Sequence, residues 1–159
     1  MAFQTTTLTS DEYETKTLET RVLEWTEQLC ESLAENYKQY HRRMVENNAA
    51  IFNNDGSKKD LSDYAQQQID ALNDGTFKGM KYTITSGKKY HKIIQNDFRN
   101  GKYESAGVHA FVDKTTGEVY KPASWRAPAK HVRFDMRDQN QREYMYANCD
   151  WAGGYLYIR

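Results

Sequence analysis

The stretch Gly107-Val108-His109-Ala110-Phe111-Val112-Asp113-Lys114-Thr115-Thr116-Gly117-Glu118-Val119-Tyr120-Lys121 decides the fold class. Its opening residues, Gly107 to Val112, are rich in β-branched and aromatic side chains and read as a strand. Asp113 to Gly117 reads as a type I turn that ends on a glycine in the left-handed position, and Glu118 to Lys121 returns as the second arm of a short hairpin. Upstream, Tyr82 and Ile84 alternate within Lys81 to Thr85, Ser86-Gly87 turns the chain, and Tyr90 to Ile94 reads as a further strand. Consecutive short strands joined by tight turns predict an antiparallel sheet.

Before Phe77 the apolar spacing is different. Leu18, Val22, Trp25, Leu29, Leu33, Tyr37, Tyr40 and Met44 recur every three or four residues, which places them on one stripe of a helix. The helix starts at the capping pattern Thr9-Ser10-Asp11-Glu12 and runs to about Asn48, with no proline or glycine inside it. Its length is about 55 Å at 1.5 Å per residue, more than a single core of this size needs. Part of the stripe is therefore expected to pair with another subunit; the alternative is a helix folded onto its own sheet. Asn53 to Lys59 reads as a turn, Asp60 as the cap of a shorter helix carrying Leu61, Tyr64, Ile69 and Leu72, and Gly75 as its left-handed stop.

Downstream, Gln139 to Asn148 reads as a short helix, Gly153-Gly154 breaks it, and Tyr155 to Ile158 is expected to extend as an edge strand. The predicted class is α+β: a long N-terminal helix and a shorter helix, then an antiparallel β-sheet with a short C-terminal helix. One domain is expected over residues 1–159, with about 10–75 as a helical oligomerisation part and about 77–159 as a β module that binds a ligand.

Charge is distributed unevenly along the chain. The formal net charge of zero conceals a balance of −7 over residues 1–77 and +8 over residues 78–137. A basic block of this kind marks a surface for anions, unless the two blocks only neutralise each other. The hydrophobic fraction is 38% and the mean hydropathy −0.94, yet 12 tyrosines supply apolar area with a polar edge, a composition that favours binding over catalysis. No apolar run is long enough to span a membrane, and the first residues lack the order of a signal peptide, so a cytosolic protein is expected. Cys30 and Cys149 stand far apart without a CxxC partner and read as ordinary, partly buried thiols.

The basic block culminates in Lys121-Pro122-Ala123-Ser124-Trp125-Arg126-Ala127-Pro128-Ala129-Lys130-His131-Val132-Arg133-Phe134, which holds both prolines of the chain. Two fixed φ angles around a tryptophan describe a rigid loop. Ser124 is placed to cap a turn whose backbone N–H groups, with Arg126, Lys130 and Arg133, would form an anion-binding nest, and Trp125 or Phe111 would stack on a base. The competing reading makes Trp125 a plug in the core, the prolines strand terminators and the cations solvated surface. His91, His109 and His131 have no spacing that completes a metal site. A nuclease would use Asp97, Glu104 or Asp113 with His109, but spacing does not show the geometry that acid-base work needs, and no phosphate loop of the GxxxxGK type exists. The expectation is a binding protein with no catalytic residues, no metal and no cofactor.

The run from Val108 to Arg133 resembles a segment of small bacteriophage proteins, and over residues 88 to 135 the chain looks like the Thoeris anti-defence sponge family. The resemblance implies a protein without catalytic activity, in the cytoplasm of the infected bacterial host, that captures cyclic ADP-ribose isomers and in some members cyclic oligonucleotides. It implies assembly as dimers or hexamers with ligand at subunit boundaries. Arg133 would match the arginine that grips the ligand phosphates, with Lys121 and Lys130 beside it, and Phe111 or Trp125 as the aromatic surface. His109 and Arg126 complete the candidate set. At Val132-Arg133-Phe134-Asp135 the chain departs from the glycine-containing version expected in the family. A basic nucleic-acid-binding phage protein and a virion or scaffold protein remain alternatives.

Overall fold

The structure, a computed structural model, describes residues 10–49, 55–57 and 61–157. Helix α1 spans Ser10–Ala49 and α2 spans Asp63–Asp74; strands β1 Lys81–Ser86, β2 Tyr90–Arg99, β3 Lys102–Asp113, β4 Glu118–Tyr120 and β5 Phe134–Asp135 follow, then α3 Gln139–Asn148 and a 3₁₀ turn, Gly154–Leu156. The strands form one antiparallel sheet in the order β1-β2-β3-β4-β5, so the protein is α+β as its sequence predicts.

α1 lies on one face of this sheet because its stripe matches the sheet's inward positions. Val22, Leu29 and Leu33 are fully buried and share a core with Ile93, Ala110, Val112, Val119, Met136 and Met145. Each such side chain contributes about 1.5–3 kcal/mol on leaving water. Farther along α1, Tyr37 and Tyr40 pack on Trp151, with ring centroids 5.4 and 5.1 Å away, and His41 stacks on Phe77 at 4.5 Å. From Val22 to Tyr40 the stripe thus packs on the chain's own sheet and downstream segments, with Val22, Leu29 and Leu33 buried and Trp25, Tyr37 and Tyr40 partly exposed. The physical reason is that α2, α3 and the segment around Trp151 add apolar area that the sheet alone does not supply. Met44, at 42% exposure, remains outward.

The Asp113–Gly117 turn forms as expected: Asp113 Oδ1 accepts from the N–H groups of Thr115 and Thr116 at 2.9 and 3.1 Å, and Gly117 has φ +76°. Gly75 stops α2 in the left-handed region, and α3 has the expected bounds, capped by Asp138. Other expectations change. Ser62 caps α2, its hydroxyl accepting from the Ala65 N–H at 3.1 Å, while Asp60, like Thr9 of the α1 cap, lies outside the described residues. β2 and β3 extend to a tight turn at Asn100-Gly101, whose φ values of 52° and 80° suit a two-residue hairpin. β5 is an additional strand. The segment expected to add an edge strand instead coils into the 3₁₀ turn, because Asp150 accepts from the N–H groups of Gly154 and Tyr155 at 3.2 and 3.1 Å and holds the backbone bent; Ile158 lies outside the described residues.

Candidate functional site

Successive residues of a strand point to opposite faces. Ile93, Ala110, Val112 and Val119 face α1, so their neighbours form the outer face. There the register aligns Thr85 with Lys92, Lys92 with Phe111 and Phe111 with Tyr120, a single rung across four strands. Tyr90 stands edge-on to both Phe111 and Tyr120, with centroids 5.9 and 6.0 Å away. Lys92 Nζ lies 5.7 Å from the Phe111 ring centre and Lys89 Nζ 5.3 Å from that of Tyr90. These groups and Arg126 surround a hollow of about 230 Å³, with Thr85, Gly87 and Lys88 completing its wall. Phe111 is its buried floor, and the lining contains four cations and no carboxylate.

Arg126 reaches the hollow from an arch between the two prolines. Pro122 and Pro128 pair as an isolated antiparallel bridge, and the Ala129 N–H donates to Lys121 O at 2.7 Å. Inside the arch the N–H groups of Ala123 and Ser124 donate to Ala127 O, and those of Arg126 and Ala127 donate to Ser124 Oγ at 3.2 Å. The loop is thus cross-linked by its own hydrogen bonds, and because these N–H groups are consumed internally the anticipated anion nest does not form at Ser124. Trp125 sits at the tip with 49% of its surface exposed and is not a core plug.

The other candidates are dispersed. Lys121 carries its ammonium 3.9 Å from the ring centre of Tyr157, away from the hollow. Lys130 is exposed beside His131, whose φ is +72°. Arg133 donates its backbone N–H to Val119 O at 2.7 Å and guides the chain into β5; its Nε is buried without a hydrogen-bond partner.

His109 belongs to the core instead of the outer face. The register slips between Ile93, paired with Ala110, and Ile94, paired with Val108, leaving His109 as the extra residue of a bulge. The bulge turns the imidazole inward, where Nε2 lies 2.8 Å from the Tyr155 hydroxyl and the ring meets Tyr82 edge-on at 5.3 Å. Burial, only partly opposed by Asp150, pushes its pKa down to about 4, so the ring is neutral at pH 7. Asp113 is engaged in its turn, while Asp97 and Glu104 pair with Arg99 and Lys102 at 2.9 and 3.9 Å. The nuclease-like set is therefore not assembled around His109. Among the described residues no group of three or more His, Cys, Asp or Glu is placed to hold a metal, and no helix is long and apolar enough to cross a membrane.

The sequence-based candidates in the hollow are Phe111 and Arg126. Lys88, Lys89, Tyr90 and Lys92 were missed, although the strand period from Tyr90 and the hairpin return to Phe111 carry the signal for Lys92. The fold and this geometry define an α+β protein: a five-stranded antiparallel meander backed by a long helix, with a cationic, aromatic hollow on its other face. The chain belongs to a family of unknown function, DUF7717, whose model matches residues 5–158. No curated protein and no solved structure matches it.

Proposed function

We propose that this protein holds a small phosphate-bearing ligand in the Phe111 hollow, and that the ligand is a cyclic nucleotide signal retained intact. The observation that carries the reading is the convergence of Lys88, Lys89, Lys92 and Arg126 around Phe111 and Tyr90 with no carboxylate in the lining. Guanidinium and ammonium groups pair with phosphate oxygens through charge-assisted hydrogen bonds, and the partly exposed Tyr90 ring, backed by buried Phe111, offers an apolar surface to a base. All four cations fall within the segment that resembles the phage sponge family, which supports a role in sequestering a host immune signal such as a cyclic ADP-ribose isomer. Typical ligand pockets enclose about 300–1,000 Å³, so a 230 Å³ hollow suits one phosphate-bearing end of the ligand. A homo-oligomer with ligand at a subunit boundary would enclose the remainder.

Native mass spectrometry of the purified protein with cyclic ADP-ribose isomers and cyclic di- and trinucleotides tests this directly. The expected result is stoichiometric binding, with unaltered ligand recovered by chromatography after denaturation. A cleaved product, or no retained nucleotide, overturns it.

Trp125, half-exposed beside Arg126, favours a second reading in which the same face stacks on a single-stranded nucleic acid. That reading predicts affinity falling steeply with salt, in proportion to the phosphates contacted. A shallow salt dependence excludes it.

A further inference from the structure

The two edges of the sheet are finished unequally. β5 ends one side with two residues, whereas β1 ends the other with six residues and no proline. Because the Gly87 N–H donates to Tyr90 O at 2.9 Å, the hydrogen-bonded pairs that follow are Thr85 with Lys92 and Thr83 with Ile94. The alternation of an antiparallel ladder then directs the backbone groups of Tyr82, Ile84 and Ser86 outward. An edge of this kind is a template for another strand.

Between that edge and α1 runs an open groove of about 640 Å³, floored by Cys30, Ala34, Tyr82 and Ile84, with Glu27 and Glu31 on its helix side and Lys81 at the start of the strand, its ammonium turned over the Tyr103 ring at 5.7 Å. Neither glutamate has a hydrogen bond or ion pair among the described residues. Their field reaches the floor: the Cys30 thiol is pushed up to about 12, by burial first and then by these two carboxylates. Glu27 and Glu31 stand about 6 Å apart along the helix axis. Alternate residues of a strand are about 6.7 Å apart.

We propose that this groove docks an extended, lysine- or arginine-bearing segment of a partner protein, added to β1 as a further strand with its cationic side chains facing Glu27 and Glu31. Main-chain hydrogen bonds to the edge supply affinity and the acidic wall supplies specificity. A second copy pairing β1 with β1 would bring its own Glu27 and Glu31 to the same side of the joined sheet, where like charges oppose it. The site is separate from the Phe111 hollow and does not depend on what that hollow binds.

Fluorescence anisotropy with the full chain tests the proposal, using a short labelled peptide of alternating Lys and Thr, its Glu–Thr counterpart, and a Lys–Thr version N-methylated along one edge. The Lys–Thr peptide is expected to bind about tenfold or more tighter than either control, a difference of about 1.4 kcal/mol. The double variant Glu27→Lys, Glu31→Lys, which changes two exposed positions, is expected to reverse the charge preference. Lys92→Glu is expected to leave peptide binding unchanged, which separates this result from any failure of the nucleotide reading. Equal binding of the N-methylated peptide, no saturable binding of the Lys–Thr peptide, or a concentration-dependent dimer that blocks the peptide would overturn it.

Discussion

Lys92 and Phe111 are direct cross-strand partners, and the Lys92 ammonium lies 5.7 Å from the centre of the Phe111 ring. A cation seated over an aromatic floor brings charge and an apolar surface to one point, which is what a phosphorylated base requires. For the nucleotide proposed above, Lys92→Glu should therefore weaken binding at least tenfold, and Arg126→Glu should act in the same direction. Both side chains lie at the sheet's outer surface, so melting temperatures should change little. Isothermal titration beside thermal melts measures both effects.

Protonation of His109 should destabilise the fold. Its pKa is near 4 in the folded state, against an ordinary value of 6.5, so between those values the unfolded chain binds more protons. The contribution is fully present above pH 6.5 and is lost as pH falls toward 4. A shift of this size amounts to roughly 3 kcal/mol. His91, also held low by burial and by Lys114 against Glu19, adds to the same slope. Urea melts across this window should show stability falling with pH, and His109→Phe should flatten the slope.

Gly117 and Gly101 both have left-handed φ, but only one of them is crowded. A Cβ at Gly117 would meet Met136 Cβ at 3.2 Å and Val22 Cγ2 at 3.3 Å, whereas at Gly101 nothing lies within 4 Å. Gly101→Ala should cost about 1 kcal/mol from backbone conformation alone. Gly117→Ala should cost about 2 kcal/mol or more, because the turn must also move against the core. Chemical denaturation of the two variants side by side measures the difference.

His131 adopts φ +72° without being a glycine. Replacing it with glycine should relieve that backbone and raise stability by about 0.5–1 kcal/mol. A thermal melt showing a loss of stability would mean that the exposed imidazole makes a contribution larger than the strain.

Leu29→Ala should lose about 2–5 kcal/mol, since the side chain is fully buried beneath the sheet. Leu23→Ala, one face round the helix at 36% exposure, should cost far less. The contrast in urea midpoints measures how completely α1 is covered within one chain.

Much of the architecture was legible because it is written in local periodicity. The α1 stripe, the alternation of Tyr82 with Ile84, and the Asp113–Gly117 turn each depend on neighbours within a few residues. The position of His109 is not local in this sense: it belongs to the candidate set, but one extra residue in β3 turns it inward, away from Phe111. No local signal marks that bulge, which is set by pairing with β2. The candidate site was only partly legible. Lys121 and Lys130 are near Arg126 in sequence, but of these three only Arg126 lines the hollow, and the other cations around Phe111 come from the preceding hairpin. Asn100-Gly101 carried a hairpin signal that the flanking charged residues concealed.

The Trp151 N–H donates to Asn36 Oδ1 at 2.9 Å, and the Tyr146 hydroxyl donates to Trp25 O at 2.9 Å. These bonds span 115 and 121 residues of chain, so one flank of α1 is sealed only after nearly everything between has been made. On the ribosome α1 emerges long before its cover, with Tyr37 and Tyr40 bare and available to whatever meets a nascent helix. Contacts of such long sequence separation are entropically costly to close and slow to form. The order of synthesis thus gives α1 an interval in which its partner in the mature protein does not yet exist.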